Sequence, residues 1–170
     1  GNGRIICYDP KTNKTKTIIR NLKFANGVCV TKDCQSILFA ETFGMKVSRY
    51  WFEGPKKGTT EVIMDNIPGY PDNINRASDG NYWLALVGMR GPALDLALTL
   101  PDFRKRMSRR INTSNWLFPN INTGCVIKIT ENGEVLESLW DLKARNHPMV
   151  TSMKEHLSLI HISEPTRRVL

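Results

Sequence analysis

The feature that most constrains the fold of this chain is a succession of short apolar segments separated by turn residues. The segments are bounded by pairs such as Asp9-Pro10, Gly54-Pro55 and Asp79-Gly80. Short segments with this punctuation are typical of β-strands in all-β sandwiches and propellers. The strands predicted in the first half of the chain are 4–8, 16–19, 27–31, 36–40, 46–52, 61–64, 72–75 and 82–87.

The strand pattern stops after Met89 and resumes near Gly124. Between them, a Leu-rich stretch is followed by Pro101, which suits the first residue of a helix because its missing N–H is not needed there. The apolar side of this helix would carry Phe103, Met107 and Ile111. Strands are then predicted at 124–130, 135–140 and 150–153, the first two joined by an Asn-Gly turn.

The predicted helical insert, residues 92–117, holds much of the net charge of +8. Its basic residues are Arg104, Lys105, Arg106, Arg109 and Arg110, against Asp102. A basic amphipathic helix can lie on an anionic membrane surface or cover a binding site, and a merely solvated helix is the alternative. We expect no nucleic-acid partner, because the basic residues are not interleaved with stacking aromatics and the sequence has no helix-turn-helix, RRM or zinc-finger pattern.

Composition agrees with a β-rich domain, with 41% hydrophobic residues and no apolar run long enough to span a membrane. The sequence assigns no cellular compartment. Four cysteines, Cys7, Cys29, Cys34 and Cys125, lack the paired spacing of a zinc site. Buried free thiols are expected, with a Cys29–Cys34 disulfide as the alternative.

Short oxygen-bearing side chains stand just before two apolar segments. Asn26 precedes Gly27-Val28, and Asp72 and Asn73 precede Ile74. Ca²⁺ takes several carboxylate and carboxamide oxygens from separate parts of a fold. Asn-Gly and Asp-Asn are also ordinary turn sequences, so the spacing alone leaves both interpretations open.

The motifs FANGV at 24–28, FAET at 39–42, RYW at 49–51, GPKKGT at 54–59 and PGYPDNI at 68–74 closely resemble the strictosidine synthase-like family, which includes adipocyte plasma membrane-associated proteins. At longer range the chain is similar to SMP-30/gluconolactonase and paraoxonase proteins. The resemblance extends more weakly through 120–124 and 137–141 to 155–156. It implies a six-bladed, all-β propeller, often with Ca²⁺ in its channel.

A propeller blade takes about 40 to 50 residues, so this chain would supply about three blades of the six. Its opening, residues 1–10, reads as a strand and turn already inside a repeat, and we expect an internal fragment of a propeller. Residues 157–170 depart from the family pattern. The nucleotide sequence obtained by back-translating residues 157–167 resembles a transposase sequencing adapter. The sequence thus predicts a propeller segment at 1–156 and a non-native tail at 157–170.

The resemblance also implies a site. Asn26 matches the Asn of the family's Asn-Gly motif, and Asp72 and Asn73 match its Asp-Asn motif, which makes all three candidate Ca²⁺ ligands. The family's early acidic ligand has no counterpart in this chain. His147 lies in a loop expected to open onto the channel and is a candidate acid or base, although a structural role is the alternative. Glu41 is a further polar candidate at the channel mouth, or else a turn residue.

The resemblance implies Ca²⁺-dependent hydrolysis of a small-molecule lactone or ester by the full-length protein, and we expect the fragment alone to be inactive. The synthases of the family instead condense an amine with an aldehyde, using a glutamate near the last blades. Thr151 stands near that position and Glu155 is out of register, so we expect hydrolysis rather than condensation. A non-catalytic propeller that binds a partner or a membrane surface is the other alternative, and the sequence leaves open whether the protein is an enzyme.

Overall fold

Antiparallel β-sheet dominates the computed structural model, which describes residues 1–112, 123–156 and 159–163. Within these ranges the strands are β1 (Gly3–Asp9), β2 (Lys14–Leu22), β3 (Ala25–Val30), β4 (Ser36–Glu41), β5 (Lys46–Trp51), β6 (Thr60–Met64), β7 (Gly69–Arg76), β8 (Tyr82–Met89), β9 (Gly124–Ile129), β10 (Val135–Asp141), β11 (Ser152–His156) and β12 (Leu159–Ser163). Two helices, α1 (Pro92–Thr99) and α2 (Pro101–Arg110), lie between β8 and β9, and a short 3-10 turn (Thr42–Gly44) follows β4.

The sheets have the arrangement of propeller blades. Strands β3–β6 form one four-stranded meander and β7–β10 form a second, while β1–β2 and β11–β12 are hairpins. Strands β3, β7 and β11 each form an edge of their sheet, and β7 packs against both of the others. Two complete blades and two half blades confirm the prediction of a partial β-propeller of about three blades.

The core lies between neighbouring blades. Strand β4 is buried along its whole length, and in β8 the run Tyr82–Leu86 is also buried. Leu38, Val47, Ile74, Leu84 and Ile127 belong to one cluster shared by the two four-stranded sheets. Each such side chain contributes about 1.5–3 kcal/mol when fully buried, so blade contact supplies much of the stability.

The two ends of the sheets differ in their connections. One end, which we call the turn end, carries the β3–β4, β7–β8 and β9–β10 turns at 31–35, 77–81 and 130–134. The opposite end, called the helix end, carries the 3-10 turn, helices α1 and α2, and the β10–β11 loop at 142–151. The polar candidate residues lie nearer the helix end.

The strand prediction was wrong about where β7 begins. The strand starts at Gly69 and not at residue 72, so Asp72 and Asn73 lie in its interior; β3 likewise starts at Ala25 and contains Asn26. The Gly69–Pro71 sequence reads as a loop, but proline is tolerated in an edge strand because one side of that strand needs no ladder hydrogen bonds. Strand interiors hold side chains in better-defined positions than loops do.

The helical insert was predicted in part. Helix α2 begins at Pro101 as expected, whereas α1, which begins at Pro92, was missed. The same signal, a proline in the first turn, marks both helices. The end of the predicted insert, 113–117, lies outside the described residues, as do 120–122 of the motif match and most of the tail.

Three smaller findings complete the fold. The four cysteines are free, but Cys7 and Cys34 are exposed, so the prediction of buried thiols was wrong for these two. Cys34 lies in a tight turn, where neither neighbouring strand can cover its side chain. Strand β12 (Leu159–Ser163) pairs with β11. The adapter origin of residues 157–170 stays a prediction. No helix in the described ranges is long and apolar enough to cross a membrane.

Candidate functional site

The polar candidates occupy equivalent β-bulges in two neighbouring edge strands. In β3, Ala25 pairs with Glu41 and Val28 with Phe39, so the bulge contains Asn26 and Gly27. In β7, Pro71 pairs with Leu86 and Ile74 with Leu84, so the bulge contains Asp72 and Asn73. A bulge adds one residue to a strand and turns a side chain out of its regular direction, and bulges are frequent beside functional sites.

Gly27 brings the two bulges into direct contact. A Cβ at this position would lie 2.6 Å from the amide nitrogen of Ile74 and 2.8 Å from Cα of Asn73. Real Cβ atoms are essentially never found so close to backbone, and glycine is therefore required for this approach. The Asn-Gly sequence has a packing role here in addition to any role in a turn.

Thr42, which follows β4, holds the amide of Asn26 in place. The Asn26 Nδ2 donates to Thr42 Oγ1 at 3.1 Å, and Thr42 Oγ1 donates to the carbonyl oxygen of Pro71 at 2.8 Å. Thr42 is only 6% exposed, so both bonds are shielded from water. The Asn26 side chain also interacts with Asp72 and lowers the pKa of that carboxyl group.

Asn73 connects Asp72 to the next blade. Its Nδ2 donates to Asp72 Oδ1 at 3.2 Å and to the carbonyl oxygen of Thr151 at 2.9 Å. The backbone amide of Asn73 donates to the same carbonyl at 3.1 Å. The structure thus brings the three predicted ligands together and fixes them across β3, β7 and the residue that precedes β11.

Asp72 is the single charged side chain of this group. Burial raises the pKa of its carboxyl group, and the hydrogen bond from Asn26 opposes that shift. Within the described part of the chain, no Lys or Arg forms an ion pair with Asp72. A partly buried carboxylate with only neutral donors is destabilised in its charged form, so a cation at this position would be favoured.

The donor chemistry at these residues suits Ca²⁺. Asp72 offers carboxylate oxygens, and the amide groups of Asn26 and Asn73 both use Nδ2 for hydrogen bonds, which leaves Oδ1 of each without a hydrogen bond to the described residues. Ca²⁺ takes six to eight oxygen ligands, so these three residues supply part of a coordination shell. In the ranges 1–112, 123–156 and 159–163 there is no cluster of three His, Cys, Asp or Glu residues, as a transition metal would favour.

His147 lies in the β10–β11 loop at the helix end. Its backbone amide donates to Asp141 Oδ2 at 2.9 Å, and its exposed side chain lines a pocket of about 310 Å³ with Trp140, Asp141 and Val150. The bonds from the amides of His147 and Asn146 lower the pKa of Asp141 to about 2. The structure places His147 in this pocket, lined by the outer strands β9 and β10, while Asp72 lies on the edge strand β7.

The two acidic alternatives have structural partners. Glu41 is buried; it accepts a hydrogen bond from the amide of Lys23 and forms an ion pair with Lys46 at 3.0 Å. Glu155 accepts bonds from the amide and hydroxyl of Ser78 and from the indole of Trp83. The hydrogen bonds from Ser78 lower the pKa of Glu155, so its carboxylate is stabilised in a fixed position between blades.

Sequence reasoning missed Thr42 as a member of the site. It is the last residue of the FAET motif, and its position after the predicted strand 36–40 was the available signal. The sequence did not show that β4 ends next to the bulge of β3 that contains Asn26. The contact spans 16 residues along the chain and depends on the register of β3 with β4.

Known sequences match this chain along most of its length. A strictosidine synthase family profile matches residues 1–55. Protein STRICTOSIDINE SYNTHASE-LIKE 10 of Arabidopsis thaliana is 36% identical over 158 residues, which cover 90% of this chain and 42% of that protein. The adipocyte plasma membrane-associated protein of Salmo salar is 31% identical over 159 residues, which cover 91% of this chain and 38% of that protein.

The fold has a counterpart among solved structures. A luciferin-regenerating enzyme superposes with a TM-score of 0.54 at 17% identity, covering 84% of this chain and 36% of the other. At this identity the likeness concerns the fold alone. The chain spans about two fifths of the length of the curated relatives named above. These matches confirm the predicted relationship of the chain to the strictosidine synthase-like proteins.

Proposed function

We propose that the protein binds Ca²⁺ through Asp72, Asn26 and Asn73 and hydrolyses a small lactone or ester at that ion. The observation that carries the proposal is the desolvated carboxylate of Asp72, which has two neutral amides and no described cation as partners. Such a group costs stability when it is charged, and binding a cation offsets that cost. The proposal concerns the whole protein, because this chain covers only about two fifths of the length of its relatives.

The ion would polarise an ester carbonyl and stabilise the negative charge that develops on its oxygen. Asp72 supplies the charge that holds the ion, and Asn26 and Asn73 supply neutral oxygens. Thr42 fixes the direction of the Asn26 amide, because its hydroxyl is itself held by the Pro71 carbonyl. The residues thus form a preorganised site, which needs little rearrangement when a ligand binds.

His147 remains our proposed acid or base for proton transfer. Its loop leads into β11, and it lies at the same end of the sheets as the helical insert. His147→Gln should lower the rate of ester hydrolysis and leave Ca²⁺ affinity unchanged, since the residue is not among the proposed ligands. General acid or base catalysis contributes about 100-fold or more to a rate, so an effect below about threefold would remove His147 from the mechanism.

Amine–aldehyde condensation has less support from the site. Thr151 contributes its backbone carbonyl to Asn73, and a hydroxyl side chain cannot replace a carboxylate base at neutral pH. Glu155 is occupied by Ser78 and Trp83 in a contact between blades. A non-catalytic propeller remains the second candidate, because the same Ca²⁺ site could serve only to join blades.

The test is calorimetric titration of the purified full-length protein with Ca²⁺, alongside Asp72→Ala and the control Asp65→Ala. Asp65 is also acidic and lies at the helix end, but it is exposed and its carboxylate bonds to its neighbour Asn66. We expect binding to be lost in Asp72→Ala and retained in the control. Affinity should weaken as pH falls through the raised pKa of Asp72, because the proton and the ion compete.

Hydrolysis of phenyl acetate and of a γ-lactone, with Ca²⁺ and with excess chelator, separates the two candidate functions. Ca²⁺-dependent turnover that Asp72→Ala abolishes supports the hydrolase. Binding without turnover favours the non-catalytic propeller, whereas the absence of Ca²⁺ binding by the protein would show that the site assignment is wrong.

A further inference from the structure

Helix α2 differs from the rest of the fold because it buries none of its residues. Met107 is half-buried, and Phe103 exposes 43% of its surface although it is large and apolar. A helix on a globular protein normally covers an apolar stripe with its own core. This helix therefore presents side chains outward on nearly every side.

The charge on α2 is concentrated and largely unneutralised. Pro101–Arg110 contains five basic residues and one acidic residue, a net of +4 and thus half of the charge of the chain. Arg104 donates to the carbonyl oxygen of Leu98, and Lys105 lies 3.9 Å from Asp102. By contrast, Arg106, Arg109 and Arg110 form no ion pair with any residue in the described ranges.

The apolar and basic groups are interleaved on the helix surface. Phe103 lies three residues before Arg106 and seven before Arg110, and these spacings place the three side chains on one face. Two more large apolar side chains come just before α2: Leu96 is 58% exposed and Leu100 is 44% exposed. Single exposed apolar residues are ordinary, but Phe103 shares its helix face with two of these guanidinium groups, and the two exposed leucines lie on the packed helix α1 and at its junction with α2.

We propose that α2, with Leu96 and Leu100, docks the protein on the surface of an anionic phospholipid bilayer. The guanidinium groups of Arg106, Arg109 and Arg110 bind lipid phosphate and carboxylate groups, for which their planar donor sets are suited. Phe103 and the two leucines enter the boundary of the acyl chains. A nucleic acid would engage the arginines but leave the apolar side chains in water, so the lipid surface fits the whole set better. The inference is independent of the Ca²⁺ site.

The test is co-sedimentation of the protein with vesicles of phosphatidylcholine, with and without phosphatidylserine, in the presence of chelator. Each basic residue near an anionic surface contributes about 1 kcal/mol, roughly a factor of five in binding. The triple variant Arg106→Gln, Arg109→Gln and Arg110→Gln should therefore bind about 100-fold more weakly. The matched control, Lys11→Gln, Lys14→Gln and Lys16→Gln, removes the same charge from the exposed β1–β2 hairpin and should keep most of the binding.

Phe103→Ser tests the apolar part separately and should weaken binding at least tenfold, because an inserted phenyl ring is worth more than that factor. All the substituted side chains are exposed, so the variants should keep the thermal stability of the parent protein. The proposal is overturned if the protein does not bind anionic vesicles, or if the helix and hairpin triple variants lose binding equally. It is also overturned if Phe103→Ser has no effect, or if single-stranded RNA displaces the protein from the vesicles.

Discussion

The bulge of β7 and the turn that follows β7 place an aspartate in opposite environments. Asp79, in the turn after β7, accepts a bond from Lys128 Nζ at 2.7 Å, and mainly for that reason its pKa falls to about 2. Asp72, in the bulge of the same strand, has its pKa raised by burial. The turn therefore holds a carboxylate that is stabilised by its surroundings, and the strand holds one that is not.

Charges at the turn end join neighbouring blades. Arg49 of β5 pairs with Glu131 of the β9–β10 turn, and Glu131 also accepts a bond from the hydroxyl of Tyr82. The helix end has no such pair at Asp72 among the described residues. The Arg49–Glu131 pair thus holds two blades together at the turn end, whereas burial disfavours the charged form of Asp72.

The largest effect should come from Gly27→Ala, which breaks the contact between the two bulges. The new Cβ meets the backbone of Asn73 and Ile74, which cannot move aside as a flexible side chain would. We expect a loss of about 2–3 kcal/mol in the free energy of unfolding, together with a loss of Ca²⁺ binding. Gly91→Ala is the control, because a Cβ there meets no atom within 4 Å. Equal stability of the two variants in urea denaturation would contradict the proposed contact.

Glu131→Ala should be the next largest change and should act on the turn end alone. Arg49 has only 7% of its side chain exposed, so losing its partner leaves a buried charge. The carboxylate of Glu131 is 31% exposed, and water screens part of the interaction, so we expect a loss of about 2 kcal/mol. Glu134→Ala removes an exposed carboxylate from the same turn and should change stability little. Calcium affinity should not change in either variant, and a decrease would show that the two ends are coupled.

Asp72→Asn should have a smaller effect in the opposite direction and stabilise the calcium-free protein by about 0.5–1 kcal/mol at neutral pH. Because the folded pKa is raised, the parent protein binds more protons when folded than when unfolded. The contribution of Asp72 to stability is present below the pKa of the unfolded state and is lost as pH rises through the pKa of the folded state. The gain in Asp72→Asn should therefore disappear in acid, as thermal melts across that pH range would show.

Asp79→Asn sharpens the same comparison with the reverse sign. Its folded pKa of about 2 lies below the unfolded value, so its contribution is present at neutral pH and is lost as pH falls toward 2. The side chain is 44% exposed, and solvent screening should limit the loss to less than about 1 kcal/mol. If both aspartate variants changed stability in the same direction at neutral pH, the proposed contrast between Asp72 and Asp79 would be wrong.

Much of the fold could be predicted because strands and turns have local causes. The alternation of apolar segments with Gly, Pro, Asn and Asp gave most strands, and Pro101 gave the start of α2. The start of β7 was misplaced because a proline in an edge strand has the local signature of a loop. The bulges escaped prediction because a bulge depends on register with the partner strand, which no single segment encodes.

The sequence by itself determined which chemical groups were available and which family motifs carried them: Asn26, Asp72 and Asn73 as oxygen donors, and a basic helix after Pro101. Only the tertiary structure decided that the donors meet, because Asn26 and Asp72 come from different blades and are joined through Thr42, Pro71 and the close approach at Gly27. It also decided the raised pKa of Asp72, since desolvation depends on which chains pack around a group and not on its neighbours in sequence.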